Sequence, residues 1–303
     1  MLVVAVASIK GGIGKSSIVA NVAGMSAASG YRVAVVDLDP QGNLGREFGY
    51  HLGDVDDDGQ GLFNALHTAT ELELVRNVRV HGNGGHVDVA VGGAYVEDLV
   101  TVAPLWEKRG RSARHALAEA LASLDGRYDL VLIDTPPGTT FLQQMALTAA
   151  THVLVPTRSD DASIDGVSRI IEQVAAVRAS SNPGLVFAGC VLFGVNPAAT
   201  AVARELREEV STALGDAAPV YSTTIPYVEA VARKSRRAGV LVHEFVSDPE
   251  LSGPGSAAAD GLAAAYADLT VELLSFVTST ATVDVTNAPA TVQLSDPGQV
   301  VSS

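Results

Sequence analysis

The chain has a single cysteine, Cys190, in 303 residues. Without a second thiol it can form no internal disulfide and no metal or iron–sulfur site built from paired cysteines, and a reducing compartment fits. Positive charge is also scarce, with 20 Lys and Arg against 34 Asp and Glu and a formal net charge of -14. That balance excludes a surface that is basic all over, although it leaves room for a local basic patch. No uninterrupted apolar run approaches the ~18 residues of a membrane span. No basic leader precedes the short apolar run at the N-terminus, which therefore reads as a strand and not as a signal peptide. A cytoplasmic protein with no membrane partner is expected. Hydrophobic residues make up 47% and charged residues 18%, an ordinary soluble balance, and the length is ample for one large domain or two small ones.

What is present is an alternation. Apolar runs ending in Gly, Asp or Pro take turns with helical patterns, as parallel βαβ units do, and no internal repeat is visible. Strands are expected at Val3–Ser8, Arg32–Asp37, Val87–Val91, Leu130–Asp134, His152–Pro156 and Leu185–Leu192. Helices are expected over Ser16–Ser29, Arg114–Leu124, Leu142–Ala149, Ile164–Ser180 and Ala199–Leu214. Continuous runs such as Val33-Ala34-Val35-Val36 suit strands buried on both faces. The fold class is thus α/β, a mostly parallel twisted sheet with helices on both faces. Ala257–Val277 reads as one more helix packed on the sheet; Asp260, Asp268 and Glu272 interrupt it, and without Lys or Arg it makes a poor membrane anchor. Residues 278–303 have no helical period and read as a disordered tail, which leaves 1–277 as the folded domain. Asp54-Val55-Asp56-Asp57-Asp58-Gly59 is an acidic turn that reads as a solvated loop, with a cation site as the alternative.

The first strand and helix are joined by Lys10-Gly11-Gly12-Ile13-Gly14-Lys15-Ser16-Ser17. Its glycines let several N–H groups face one anion, and the following helix adds its positive N-terminal end. A polyphosphate suits that shape, with Lys15 a point charge on the outer phosphates and Ser16 offering a hydroxyl to Mg²⁺. The ordinary spacing G-x-x-x-x-G-K-[ST] would need a glycine at Ile9, and the loop carries a second lysine, Lys10. Two acidic strand ends, Asp37-Leu38-Asp39-Pro40-Gln41-Gly42-Asn43 and Asp134-Thr135-Pro136-Pro137-Gly138, should meet this loop, because strand C-termini in an open α/β sheet line one edge. Asp37 and Asp39, two residues apart, share a face while the strand lasts. Asp134 can meet a metal or its bound water. Each of these acids can also be a cap for its own turn.

Together these segments resemble the ParA/MinD family of deviant Walker A P-loop ATPases, and within it the ParA DNA-partition proteins. The loop is similar to the family's K-G-G-x-G-K-[ST], the second segment to D-x-D-P-Q-G-N and the third to D-x-P-P. Pro156 to Gly166 is similar to P-x-x-x-E-x-x-A-L-x-G, with Asp160 where Glu is usual. The resemblance runs from about residue 2 to 245, and no helix-turn-helix extension like that of longer ParA proteins is expected. It implies a P-loop NTPase fold, ATP and Mg²⁺ as cofactors, and catalytic roles for Lys10, Lys15 and Asp39. Gly11, Gly12, Ile13, Gly14, Lys15, Ser16 and Ser17 would hold the phosphates, and Ser16, Asp37 and Asp134 the metal. Lys10 would reach the partner's nucleotide in an ATP-bound sandwich homodimer, and Asp39 would orient the attacking water. Adenine would sit near Asn196-Pro197 and Ile225-Pro226-Tyr227, although the region around Ala198 lacks the arginine often found in ParA. The implied partners are nonspecific DNA and a ParB-like centromere-binding protein or another adaptor that stimulates hydrolysis, on the nucleoid.

Nonspecific DNA binding needs Lys and Arg set against phosphates. Arg233, Lys234, Arg236 and Arg237 are the first candidates; Lys108, Arg109, Arg111 and Arg114 form a second cluster. Either can instead be a solvated helix face. A Rossmann oxidoreductase fails because G-x-G-x-x-G would need Gly or Ala at Ser17. Nitrogenase-iron-protein relatives need more cysteine ligands than Cys190, and a MinD-type membrane ATPase should end in a basic amphipathic helix. A ParA-like ATPase that positions a protein cargo remains the alternative to a DNA-partition ATPase.

Overall fold

The chain begins β1 (Leu2–Val6), α1 (Lys15–Ala28), β2 (Arg32–Asp37), α2 (Leu44–Phe48), α3 (Gln60–Thr68), β3 (Val75–Val80) and β4 (His86–Ala90). It continues through α4 (Asp98–Lys108), α5 (Ala116–Ala122), β5 (Leu130–Asp134), α6 (Phe141–Ala149), β6 (His152–Thr157), α7 (Asp161–Ser180) and β7 (Val186–Val195). Last come α8 (Thr200–Leu214), β8 (Val220–Pro226), α9 (Glu229–Ala238), α10 (Val242–Ser247), α11 (Pro249–Ser252) and α12 (Ala257–Thr286). The structure, a computed structural model, describes residues 1–286 apart from 139, 159–160, 197–198, 216–217 and 254–255, and the side chains of 161–164 and 281–286 are also left out. Asp160, Pro197, Ala198 and the tail from 287 onward therefore lie outside the described residues.

The strands form one sheet in the order β3-β4-β2-β5-β1-β6-β7-β8. Every neighbouring pair is parallel except β3 with β4. Alternate side chains enter two separate cores, as the period of two demands. Val3, Ala5, Ala34, Val36, Val131 and Ile133 join α3 to α8 on one face. Val4, Val6, Val33, Val35, Leu130 and Leu132 join α1, α2, α10 and α12 on the other. The α/β class and the two-faced arrangement expected from the continuous Val/Leu runs are what the structure has.

Two strands escape the sequence reading, and both lie on edges. β3 reads Val-Arg-Asn-Val-Arg-Val, has no buried residue, and carries a register shift between Val75 and Arg79 with Asn77 at φ +58°. Charge and irregularity of this kind protect a sheet edge from further pairing. β8 alternates buried and exposed residues and ends in a proline, which an edge strand tolerates.

α12 runs to Thr286, so residues 278–286, read above as tail, are helical. By length and composition alone its residues 257–280 could cross a membrane, at mean hydropathy 1.3, although acidic residues interrupt the apolar run. In the fold, Ala259, Leu262, Tyr266, Leu269, Leu273 and Val277 are buried and the helix packs on β8, α1 and α10. That three-and-four spacing is the stripe of a helix lying on a core. In the acidic turn Asp57 accepts from the Gly59 and Gly61 N–H groups at 3.0 and 2.7 Å, and Asp58 from Ala94 at 2.8 Å. Its carboxylates serve as caps for α3 and the loop beside it.

Candidate functional site

Parallel strands bring their C-terminal ends to one edge, and there the segments leaving β1, β2, β5, β6, β7 and β8 line a cleft of about 510 Å³. The size is that of a small-molecule site. Its floor is the glycine loop. Gly12 and Gly14 have φ of +72° and +80°, and Gly14 is the N-cap of α1. A Cβ on Gly14 would lie 2.0 Å from Cζ of Phe193, so a larger residue there would have to displace that ring. Lys15 opens the helix and is only 6% exposed; burial lowers its pKa, while Asp134 and Asp39 pull the other way.

The carboxylates converge as expected. β2 and β5 are neighbours, with Asp37 opposite Asp134 in register, and both are fully buried. Asp37 accepts from the backbone N–H groups of Asp39 at 3.0 Å and Leu44 at 3.3 Å. Its oxygens thus hold the turn that carries Asp39. Burial, then the charge of Asp134, holds its pKa well above the usual carboxylate range. Asp39, 5% exposed, accepts from the Gln41 N–H at 3.0 Å.

Asp134 is different. Neither of its oxygens has a well-formed hydrogen bond among the described residues. Burial pushes its pKa up to about 7, although the nearby Ser16 hydroxyl and Lys15 ammonium favour the charged form. No group of three or more His, Cys, Asp or Glu side chains among the described residues is placed to hold a metal alone. Mg²⁺, however, commonly takes one or two protein ligands and fills its octahedron with phosphate oxygens and water. A glycine loop, a buried lysine and a buried acid without partners fit a magnesium-bound polyphosphate.

Other expected residues fall elsewhere. Lys10 and Ile13 border a small hollow with Ser8, Val155, Thr157 and Gly166, away from the main cleft lining. Ile13 is 6% exposed, so its side chain is core and only its backbone can serve a nucleotide. Pro226 and Tyr227 do line the cleft, whereas Asn196 is exposed beyond β7 and outside that lining. In the second basic cluster, Arg111 stacks on Trp106 at 4.6 Å, donates to the His67 carbonyl at 3.0 Å and pairs with Glu119 at 3.6 Å. It is a structural residue; Lys108, Arg109 and Arg114 are exposed. In the first cluster Arg233, Lys234, Arg236 and Arg237 are all exposed on α9, and Arg236 also lines the cleft. Arg236 sits one turn after Ala232, which lines the cleft as well.

Three cleft residues had no local signal in the sequence. Glu47 is 5% exposed, accepts from the Ser17 hydroxyl at 2.6 Å and has its pKa raised by burial. Arg158 leaves β6, donates to the Gly12 carbonyl at 3.4 Å and lies 5.9 Å from the Tyr227 ring centroid. Phe193 enters from β7.

Residues 1–187 match the AAA domain family. The chain is 34% identical over 223 residues to the chromosome-partitioning ATPase Soj of Thermus thermophilus, covering 74% of this chain and 80% of that protein. The chain belongs to the ParA/MinD family of P-loop ATPases. It is also 30% identical over 226 residues to the sporulation initiation inhibitor protein Soj of Bacillus subtilis, covering 74% of this chain and 83% of that one. Among solved structures it resembles cobyrinic acid a,c-diamide synthase of Mycobacterium smegmatis with bound ATP analog and magnesium, at 28% identity and TM-score 0.69, over 90% of this chain and 94% of that one. Within the family match lie the glycine loop and the three aspartates; β8 and α9, which build the far wall of the cleft, lie beyond residue 187.

Proposed function

We propose that this protein is a Mg²⁺-dependent ATPase of DNA partition, hydrolysing ATP to ADP and phosphate slowly until a partner stimulates it. The observation that carries this reading is the buried, unpartnered Asp134 beside Lys15 under the glycine loop. A cation and a polyphosphate would together relieve both charges. The Mycobacterium smegmatis structure, which carries an ATP analog and magnesium, supports the same ligands here. Backbone N–H groups of Gly11 to Ser17 would cradle the phosphates and Lys15 would neutralise them. Ser16 and Asp134 would hold the metal, directly or through water, and Asp37 would hold the turn of Asp39. When bound, Mg²⁺ supplies charge neutralisation across the outer phosphates. Asp39 would then orient a water molecule for attack, since phosphoryl transfer depends on positioning and charge more than on covalent help.

Lys10 borders a separate hollow and is not among the residues lining its own chain's cleft, which supports a role at a second subunit's nucleotide in an ATP-bound sandwich dimer. Tyr227 and Pro226 would wall the base. Arg233, Lys234 and Arg237 would meet DNA phosphates, and a ParB-like protein or another adaptor would release the dimer by speeding hydrolysis. Cytoplasmic, nucleoid-associated work follows from that scheme, with a chromosome or plasmid as cargo; a protein cargo is the alternative and would use the same chemistry.

Calorimetry with ATP and Mg²⁺ tests the reading. Lys15→Ala should abolish nucleotide binding, and tight binding by that variant would remove its basis. Asp39→Ala should bind ATP and persist as a dimer, so wild-type turnover in that variant would refute its role. Alanine at Arg233, Lys234 or Arg237 should each flatten the log-log salt dependence of DNA binding by about 0.9.

A further inference from the structure

Helices α2 and α9 meet at their C-terminal ends, where Gly49 and Gly239 both have left-handed φ. A Cβ on Gly239 would come within 2.6 Å of the Gly49 Cα, so the two backbones touch. Arg79 clamps the same corner, donating to the Phe48 carbonyl at 3.1 Å and the Gly239 carbonyl at 2.8 Å. With the helices pinned there, a side chain one turn back on α9 has a fixed origin. That side chain is Arg236. Its Nε donates to the Ala232 carbonyl at 2.9 Å and stands 3.8 Å from Oε1 of Glu47. The separation is too long for a hydrogen bond. The Arg236 side chain is 44% exposed and lines the cleft, while that of Glu47 is 6% exposed.

Glu47 in turn holds the Ser17 hydroxyl at 2.6 Å, and Ser17 follows Ser16 in the first turn of α1. A chain of contacts thus runs from the anion-binding end of α1, through a buried carboxylate, to a guanidinium whose two terminal nitrogens make no hydrogen bond among the described residues. A guanidinium fork matches phosphate oxygens better than it matches a carboxylate seen at 3.8 Å.

We propose that Arg236 is a nucleotide-contacting residue, parked beside Glu47 and transferred by side-chain rotation to the phosphates of a nucleoside di- or triphosphate. The proposal rests on the nucleotide reading above. It separates α9 into two faces: Arg236 serves the cleft, and Arg233, Lys234 and Arg237 face outward. Glu47 is a positioning residue that competes with the nucleotide for Arg236. The burial that raises the pKa of Glu47 agrees with a charge that its partner meets only in part.

Calorimetric affinities for ADP and ATP with Mg²⁺, for wild type, Arg236→Ala, Arg236→Lys and Glu47→Gln, test this directly. Arg236→Ala should weaken binding by about 10- to 100-fold, the worth of a charge-assisted hydrogen bond, and Arg236→Lys should recover part of the loss. Glu47→Gln should bind nucleotide a few-fold more tightly, an effect that damage to the fold could not produce. Wild-type nucleotide affinity in Arg236→Ala, while Lys15→Ala loses binding, overturns the role of Arg236 and leaves the ATPase reading standing. A flattened DNA salt slope in Arg236→Ala with unchanged nucleotide affinity returns Arg236 to the DNA face. Absence of nucleotide binding in the wild type overturns both.

Discussion

Asp134 and Glu272 are both carboxylates at functional distance from the sheet, and their surroundings are opposite. Asp134 ends β5 in the centre of the sheet, fully buried, with no hydrogen bond to either oxygen among the described residues. Glu272 lies on α12 against the edge strand β8, where it accepts from the Ser222 N–H and hydroxyl at 2.9 and 2.7 Å and from the Thr223 N–H at 3.0 Å. The Thr223 hydroxyl adds a fourth bond. Partial burial works to raise the pKa of Glu272, but these donors outweigh it and leave the pKa lowered. At Asp134 burial outweighs the Ser16 hydroxyl and the Lys15 ammonium and pushes the pKa up to about 7. Buried polar groups are normally paired. An acid whose demand is met fastens a helix to a sheet edge, whereas one whose demand is unmet marks the place a ligand must complete.

The largest test of that contrast is Asp134→Asn. With its pKa raised, native Asp134 holds a proton more tightly than the unfolded chain does, so it supports folding most fully below about pH 4 and loses that support as pH rises through about 7. In chelator and without nucleotide, Asp134→Asn should be more stable than wild type by on the order of 3 kcal/mol at pH 8. Denaturant melts across pH would measure it. Magnesium and ATP should reverse the order, and a wild type that stays less stable when fully liganded would break the contrast.

Glu272→Ala should act in the other direction and more weakly, costing about 1 to 2 kcal/mol because water can replace part of what a half-exposed carboxylate receives. Its lowered pKa puts its support above the unfolded value near 4.5, to be lost as pH falls through the native value. Melts of wild type and variant should therefore converge in acid, opposite in slope to the Asp134 pair. Equal slopes would make the two acids alike.

The smallest expected effect is coupling. β5 and β8 are four strand spacings apart, roughly 19 Å, so the double variant should equal the sum of the singles within about 0.5 kcal/mol. A larger departure would mean that α12 communicates with the cleft.

Much of this site was legible before any fold was known. Gly11 to Ser17 is a local device: a strand end, glycines that reach positive φ and a helix start are all decided within a few residues. Strand-end aspartates follow from the same logic, since parallel strands share an edge. Central strands such as Leu130–Asp134 stood out because burial on both faces demands continuous apolar residues. Edge strands β3 and β8 did not, as their alternating polar residues match no such run. α1 was placed by its neighbours rather than by amphipathicity: Ile18, Val19, Ala20, Val22, Ala23 and Ala27 are all buried, so no polar face betrays the helix.

By itself, then, the sequence determined the nucleotide loop, its lysine and serine, the acids that meet it and the parallel sheet that brings them together. Only the tertiary structure decided the direction of side chains whose partners are far away in the chain. The Phe193 ring occupies the space beside Gly14, Lys10 lies outside the lining of its own cleft, and Arg236 stands beside Glu47. The physical reason is sequence separation. A backbone turn is set by torsions within a few residues, whereas a cleft wall is set by the order of β6, β7 and β8 beside β1 and by the return of α9 over α2.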